Sequence, residues 1–396
     1  AEKLSIFLAC ALPAGIIMIG RARIWLKTRQ IPKEFIWVLL ISFFGLLSCL
    51  QSENKEASLK SMGLFLASGP LVFLVAKTLF KPKKNKETYL WMTSLSFLGL
   101  AFWGIYEHFT LGIVYLFSRN PLPAGTLLIL LSIGPLILLN RPNTMLVKFT
   151  LALILFSSIF LIILMAKKSH LLGLMVFLIT LIIFNFRKYY KFFMGFILLI
   201  VLALFSSDYL RLKKGNLINW SSQLTTLSSA NSEVLNHKLP LSIYGSIPLR
   251  VENYFFGLHV IKKETTWGLG FKAKLDSYFT DYNIRLDKFF SKERYQEYIQ
   301  SQNAFENIVL TYLIEWGAIF CLIYFGGIAY IVILYFIETK KPLIRKIDGI
   351  FVVAIIISFS AMSLTFDTLR FPNLNWVFHT LLGLLVNIPE KYQVDQ

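Results

Sequence analysis

The three cysteines among 396 residues, Cys10, Cys49 and Cys321, lie far apart in apolar segments and offer neither a disulfide framework nor a metal-ligand spacing. Histidine is nearly as scarce. His108, His170, His237, His259 and His379 form no HxxxH or HExxH pattern, so no metal site and no other cofactor is expected. No GxxxxGK[ST] loop or Rossmann fingerprint occurs, which argues against nucleotide-driven work. There is no internal repeat or low-complexity segment. Acidic residues are also few, 22 Asp and Glu against 40 Lys and Arg, a net charge of +18. In a soluble chain that excess would point to nucleic acid, but a membrane reading has to be tried first.

Apolar residues are abundant: 56% of the chain is hydrophobic and 15% aromatic, with mean hydropathy +0.62. A soluble domain of this length could not hide so much apolar surface, so the expected fold is all-α, a polytopic membrane protein. Apolar runs fall at 4–20, 35–50, 62–79, 89–106, 126–140, 145–165, 171–186, 192–206, 317–337, 349–366 and 374–388, which predicts about 11 transmembrane helices (10–12). Residues 1–20 lack the basic start of a cleavable signal, so Leu4–Gly20 counts as a span. Alternate connections are basic. One set holds 19 Lys and Arg, including Lys81, Lys83, Lys84, Lys86, Arg141 and Lys340, and the opposite short loops hold 6. Basic loops stay in the cytoplasm, so the C-terminus is expected there and the N-terminus outside. This accounts for much of the positive charge without nucleic acid.

Three regions follow: transmembrane helices over 1–206, a large periplasmic loop over 207–306, and further transmembrane helices over 307–396. The loop contains "NYFFGLHVI" and "KFFSKERYQEYI", which read as amphipathic helices on the membrane face. Outward-facing charges beside apolar segments are Arg119, Lys167 and Lys168, Arg250, Glu306 with Asn307, and Asp367 with Arg370. Several cations and a carboxylate on one face form a site for an anionic lipid headgroup. Arginine binds diphosphate oxygens in pairs, and a carboxylate accepts a proton from an attacking hydroxyl. Each residue also has a plainer reading: Lys167 and Lys168 as helix-end lysines, Arg119 and Arg370 as interfacial anchors, Arg250 as a solvated charge, Glu306 as a helix cap. "WGLGF" alone indicates a turn. From these residues the chain is an enzyme or a transporter with an outward-opening anion site.

Five segments resemble the O-antigen ligase and O-antigen polymerase superfamily of membrane glycosyltransferases. They are "FIWVLLISFFGLLSCLQSENKEASLKS", "SRNPLPAGTLLILLSIGPLILL", "MAKKSHLLGL", "LRVENYFFGLHVIKKETTWGLGF" and "ENIVLTYLIEWGAIF". In that likeness Arg250 matches the loop arginine, Lys168 stands where an arginine is usual, and Glu306 stands where the ligases carry histidine. Asn307, Leu310, Glu315 and Gly317 fall in register. The resemblance implies a metal-independent inverting glycosyltransferase of the bacterial inner membrane, acting at its periplasmic face. Glu306 and Arg250 would be catalytic, and Lys168, Lys167, Arg119, Arg370 and Asn307 would bind substrate. The implied partners are an undecaprenyl-diphosphate-linked glycan, lipid A core if the chain is a ligase, and a chain-length regulator if it is a polymerase. Glu306 in place of histidine favours the polymerase. The ligase and a lipid-linked glycan flippase are the alternatives, and a peptidoglycan polymerase of the shape, elongation and division family is a more distant one.

Overall fold

The structure is a computed structural model that describes residues 33–111, 121–165, 169–184, 246–263, 266–271, 273–285, 291–302, 305–338 and 343–387. Among these, 85% are helical and none lies in a strand. The helices of the first half are α1 (Lys33–Gln51), α2 (Lys55–Ser68), α3 (Pro70–Leu79), α4 (Lys83–Leu111), α5 (Pro121–Leu131), α6 (Ile133–Leu139), α7 (Met145–Leu164) and α8 (Ser169–Phe184). The second half contributes α9 (Ser246–Lys263), α10 (Asp276–Phe279), α11 (Lys292–Gln302), α12 (Ile308–Glu338), α13 (Leu343–Ser363) and α14 (Pro372–Val386), with a 3₁₀ turn at Thr368–Arg370.

Among the described residues, six stretches are long and apolar enough to cross a bilayer: Lys33–Gln51, Lys55–Leu79, Lys83–Thr110, Leu122–Leu139, Met145–Ile163 and Ile308–Ile337. Large apolar side chains also point away from the bundle; Phe102 is 66% exposed, Ile183 73% and Leu322 74%. Apolar residues both inside and outside are what a helix surrounded by lipid requires. The expected runs at 4–20 and 192–206, and residues 207–245 of the long loop, lie outside the described residues.

Local chemistry sets the helix ends. Asn54 caps α2, its side chain accepting from the Ala57 N–H at 3.2 Å, and Thr144 caps α7 through the Val147 N–H at 3.4 Å. The apolar run predicted at 62–79 is interrupted at Gly69–Pro70, where proline removes a backbone donor and α3 starts afresh. Gly69 makes room for Asn375 of α14; a Cβ there would sit 2.8 Å from its amide nitrogen. Asn375 donates to Ser68 Oγ at 2.9 Å, and the Asn375 carbonyl accepts from His379 Nδ1 at 2.9 Å. Because a carbonyl only accepts, Nδ1 carries the proton, and His379 Nε2 accepts from the Tyr324 hydroxyl at 3.2 Å. This histidine is buried and occupied at both ring nitrogens, a joint between α12 and α14.

The two ends of the bundle differ in kind. At one end Lys77 pairs with Glu34 at 2.6 Å, Asn387 donates to the Lys77 carbonyl at 2.8 Å, and Lys86 reaches the Asn387 carbonyl. There too Arg141 lies 3.3 Å from Glu87 and 3.5 Å from Asp348. These residues flank the described basic connections at 81–86 and 141–148, which lie at this end. At the opposite end α9, α10 and α11 turn their apolar faces toward one another rather than along a flat surface. Phe256 stacks on Phe279 with centroids 4.1 Å apart, and Tyr282, Tyr295, Ile299 and Phe305 close the cluster against Leu310 and Ile314 of α12.

Candidate active site

Arg250 lies near the start of α9, and Glu306 lies on the link between α11 and α12. The aromatic cluster under α9 and α11 fixes the distance between those helices, and it brings Arg250 Nε to 2.7 Å from Glu306 Oε2. The other oxygen, Oε1, accepts from the Tyr298 hydroxyl at 3.2 Å. Both charged side chains keep access to solvent, 21% for Arg250 and 30% for Glu306. The sequence-predicted pair therefore meets, although 56 residues separate its members.

Glu306 has φ +52°, and it is the only described non-glycine residue in the left-handed region. That conformation costs an L-residue about 1–2 kcal/mol and is held only when the flanks over-determine it. Here they do. Phe305 is buried in the aromatic cluster, and Asn307 is fixed by two bonds, donating to the Leu364 carbonyl at 3.3 Å and accepting from the Leu310 N–H at 3.0 Å. The cap of α12 is thus Asn307, and Glu306 is not engaged as a cap. Its carboxylate turns aside to Arg250 and Tyr298. Asn307, expected as a substrate ligand, has both side-chain polar atoms engaged in structure.

One helical turn further along α12, Thr311 donates to Asp367 Oδ1 at 2.9 Å. Burial pushes the Asp367 carboxyl above its usual range, and the nearby Glu306 charge adds to this, while Arg370 and the Thr311 bond act against it. Arg370, on the 3₁₀ turn that follows, forms an ion pair with Glu315 and lies 5.3 Å over the ring of Phe271. The pair is enclosed, with the Glu315 side chain 7% and Arg370 20% exposed. Arg370 thus belongs to the same neighbourhood as Arg250, but its guanidinium already has a carboxylate.

α12 is broken two residues after Glu315. Gly317 has φ +85° and ψ 170°, far from helical values, and the carbonyls it releases are taken up from outside the helix. Leu269 N–H donates to Ile314 O at 2.7 Å, Gly270 N–H to Glu315 O at 2.8 Å, and Ser48 Oγ to Glu315 O at 2.8 Å. A break within an apolar helix is tolerated where such partners satisfy the backbone. Gly268, at φ +77°, crosses Gly317 so closely that a Cβ on it would lie 2.5 Å from the Gly317 nitrogen. The "WGLGF" segment is thus more than a turn: it is the strap that stabilises the break in the "EWG" segment.

Arg119, Lys167 and Lys168 lie outside the described residues. Their described neighbours converge. His170 Nε2 donates to the Leu122 carbonyl at 2.8 Å, and Ser358 Oγ donates to the Gly173 carbonyl at 2.7 Å. The starts of α5 and α8 therefore meet near the end of α13 that leads to Asp367. Among the described residues, no three His, Cys, Asp or Glu side chains come together as metal ligands.

The charges of the described cluster nearly cancel: Arg250 and Arg370 face Glu306, Glu315 and a carboxyl, Asp367, biased toward neutrality. Sequence reasoning named Arg250 and Glu306 but missed Tyr298, whose only trace was its place on the aromatic side of "RYQEYI". No protein-family model matches the chain, and no curated protein matches it.

Proposed function

We propose that this chain is an integral membrane glycosyltransferase that extends a lipid-linked polysaccharide, joining undecaprenyl-diphosphate-linked units at the periplasmic face of a bacterial inner membrane. The observation that carries the reading is the solvent-accessible Arg250–Glu306 pair at 2.7 Å, at the end of the bundle away from the basic connections. Basic connections are retained in the cytoplasm, which would put the pair on the outer side.

In this reading the hydroxyl of an acceptor sugar attacks the anomeric carbon of a donor glycan. The new C–O bond forms as the bond to the diphosphate breaks. Glu306 takes the hydroxyl proton, and Arg250 stabilises the charge that grows on the departing diphosphate. Direct displacement inverts the anomeric centre. The diphosphate leaving group supplies the driving force, so no nucleotide is consumed.

A diphosphate needs more positive charge than Arg250 and Arg370 offer once Glu306 and Glu315 are counted. Arg119, Lys167 and Lys168 are assigned to that task because the residues next to them in sequence, Leu122 and His170, adjoin the same end of α13. Each cation contacting a phosphoryl oxygen is worth a charge-assisted bond. The test is purified protein incubated with a lipid-linked repeat unit, with and without lipid A core. A ladder of lengthening glycans without core supports polymerisation. A single transfer that requires core makes the chain a ligase, and no transfer under either condition rejects the glycosyltransferase reading.

A further inference from the structure

Arg250 and Glu306 have tasks in the proposed reaction that pull them apart. Once Arg250 Nε turns from the carboxylate to a diphosphate, Glu306 loses one of its two donors, and its left-handed backbone loses one of the contacts that aim it. The second donor is Tyr298, bound to the opposite oxygen, Oε1, at 3.2 Å. It comes from a different helix and has no part in binding diphosphate. We propose, resting on the glycosyltransferase reading above, that Tyr298 is the positioning residue that keeps Glu306 aimed at the acceptor hydroxyl after Arg250 has engaged the donor.

The tyrosine is built for that role. It sits on α11 one turn after Tyr295, which is fully buried against Phe256 and donates to Asn253 Oδ1 at 3.0 Å. Its backbone is thereby locked to the aromatic cluster, whereas Arg250 reaches the carboxylate on a long side chain. Burial, together with the Glu306 charge, pushes the Tyr298 hydroxyl far above its ordinary range, so it remains a donor throughout the physiological range. The titratable and charged groups facing Glu306 are Arg250 from α9, Tyr298 from α11 and Asp367 from the turn before α14. Of these three, Tyr298 is the uncharged group whose hydroxyl is bonded to Glu306, and it can stay in place while substrate charge arrives. A hydrogen bond to a charged acceptor is worth more than one between neutral groups, so removing this donor should loosen the carboxylate from its fixed orientation.

The experiment compares wild type, Tyr298→Phe and Glu306→Gln in nanodiscs. It follows transfer from an undecaprenyl-diphosphate-linked oligosaccharide and, separately, the 13C carboxyl resonance of Glu306, assigned by its loss in Glu306→Gln. Tyr298→Phe is expected to lower kcat about tenfold, as for loss of one bond to a charged group. KM for the lipid-linked donor should be unchanged, and the Glu306 carboxyl resonance should move from its wild-type position. A fluorinated tyrosine at position 298, close in size and a stronger donor, should move the resonance in the opposite sense and covers the case in which Tyr298→Phe fails to fold. A Glu306 carboxyl resonance that both replacements leave in place overturns the inference. Full activity in Glu306→Gln overturns instead the catalytic reading beneath it, and the carboxyl resonance distinguishes the two failures because it requires no turnover.

Discussion

Gly268 and Gly317 cross back to back, each with positive φ, and the crossing lets a loop strap donate to the carbonyls exposed by a broken membrane helix. Glu315, two residues before the break, is paired with Arg370. Just upstream on the same helix, Asn307 and Thr311 tie its start to Leu364 and Asp367. The architecture of the candidate site thus begins with two residues that have no side chain.

Replacing either glycine tests that dependence. In Gly317→Ala the new Cβ would lie 2.5 Å from the Thr266 carbonyl oxygen, and the left-handed backbone adds a penalty of about 1–2 kcal/mol. The expected result is a clear drop in melting temperature in detergent together with loss of transfer activity. Gly326→Ala, on the same helix with nothing within 4 Å of the added atom, is the control. It should be neutral or slightly stabilising, because alanine favours a helix over glycine by about 0.5–1 kcal/mol. Equal losses in both variants would mean that the crossing has no special importance.

Arg250→Ala and Glu306→Gln separate charge from shape at the accessible pair. Removing the arginine deletes the proposed diphosphate ligand, and the transition state should lose about 3 kcal/mol, near a hundredfold in rate. Glu306→Gln keeps the size and can still meet Tyr298, but it has no basicity, so turnover should collapse while the melting temperature changes little. Cells carrying either variant in place of the native chain would be scored for glycan length on gels. Long chains of native distribution from Arg250→Ala would remove Arg250 from the mechanism.

Glu315 and Arg370 should behave as a structural unit. Their enclosure means that Glu315→Gln leaves a buried guanidinium without its counter-charge, which typically destabilises by about 3 kcal/mol or more. The double variant Glu315→Gln/Arg370→Met removes both charges and should recover much of that loss. Thermal melts of the two single variants and the double variant form the cycle. Additive losses would show that the two side chains do not depend on each other.

How much of this was legible in the sequence depended on which physical signal each residue leaves. The apolar runs marked the membrane helices, because burial in lipid acts on composition over many residues. The helix of α12 begins at 308, next to the expected start near Asn307, whereas its apolar run reads only from 317 because Thr311 and Glu315 depress the hydropathy of "IVLTYLIEW". The break at Gly317 was invisible for a related reason: a glycine in an apolar run is unremarkable until the strap that crosses it is known. Arg250 and Glu306 come forward through the family resemblance, since their residue types alone read equally as a solvated charge and a helix cap. Tyr298 does not, since a tyrosine on an amphipathic helix has the same pattern whether it fills a core or holds a carboxylate. Arg370 reads as an interfacial anchor or a substrate ligand because nothing in the sequence marks its partner, which lies 55 residues earlier.

Asp367 gives the fold a pH dependence with a definite sign. Its carboxyl titrates higher in the folded protein than in the unfolded chain, burial being the largest cause. An acid shifted that way binds its proton more tightly in the native state. The contribution to stability is therefore fully present below the ordinary carboxylate range and is lost as pH rises through the raised value. Asp367→Asn keeps an acceptor for Thr311 and cannot ionise, so its melting temperature should lack this component. The difference between variant and wild type should grow in favour of the variant as pH increases from the acidic side toward neutrality. Melts of both proteins across that interval, in one detergent and at one ionic strength, measure the difference directly. A gap that stays constant with pH would place the Asp367 proton outside the stability of the site, and a gap that shrinks would reverse the sign argued from its burial.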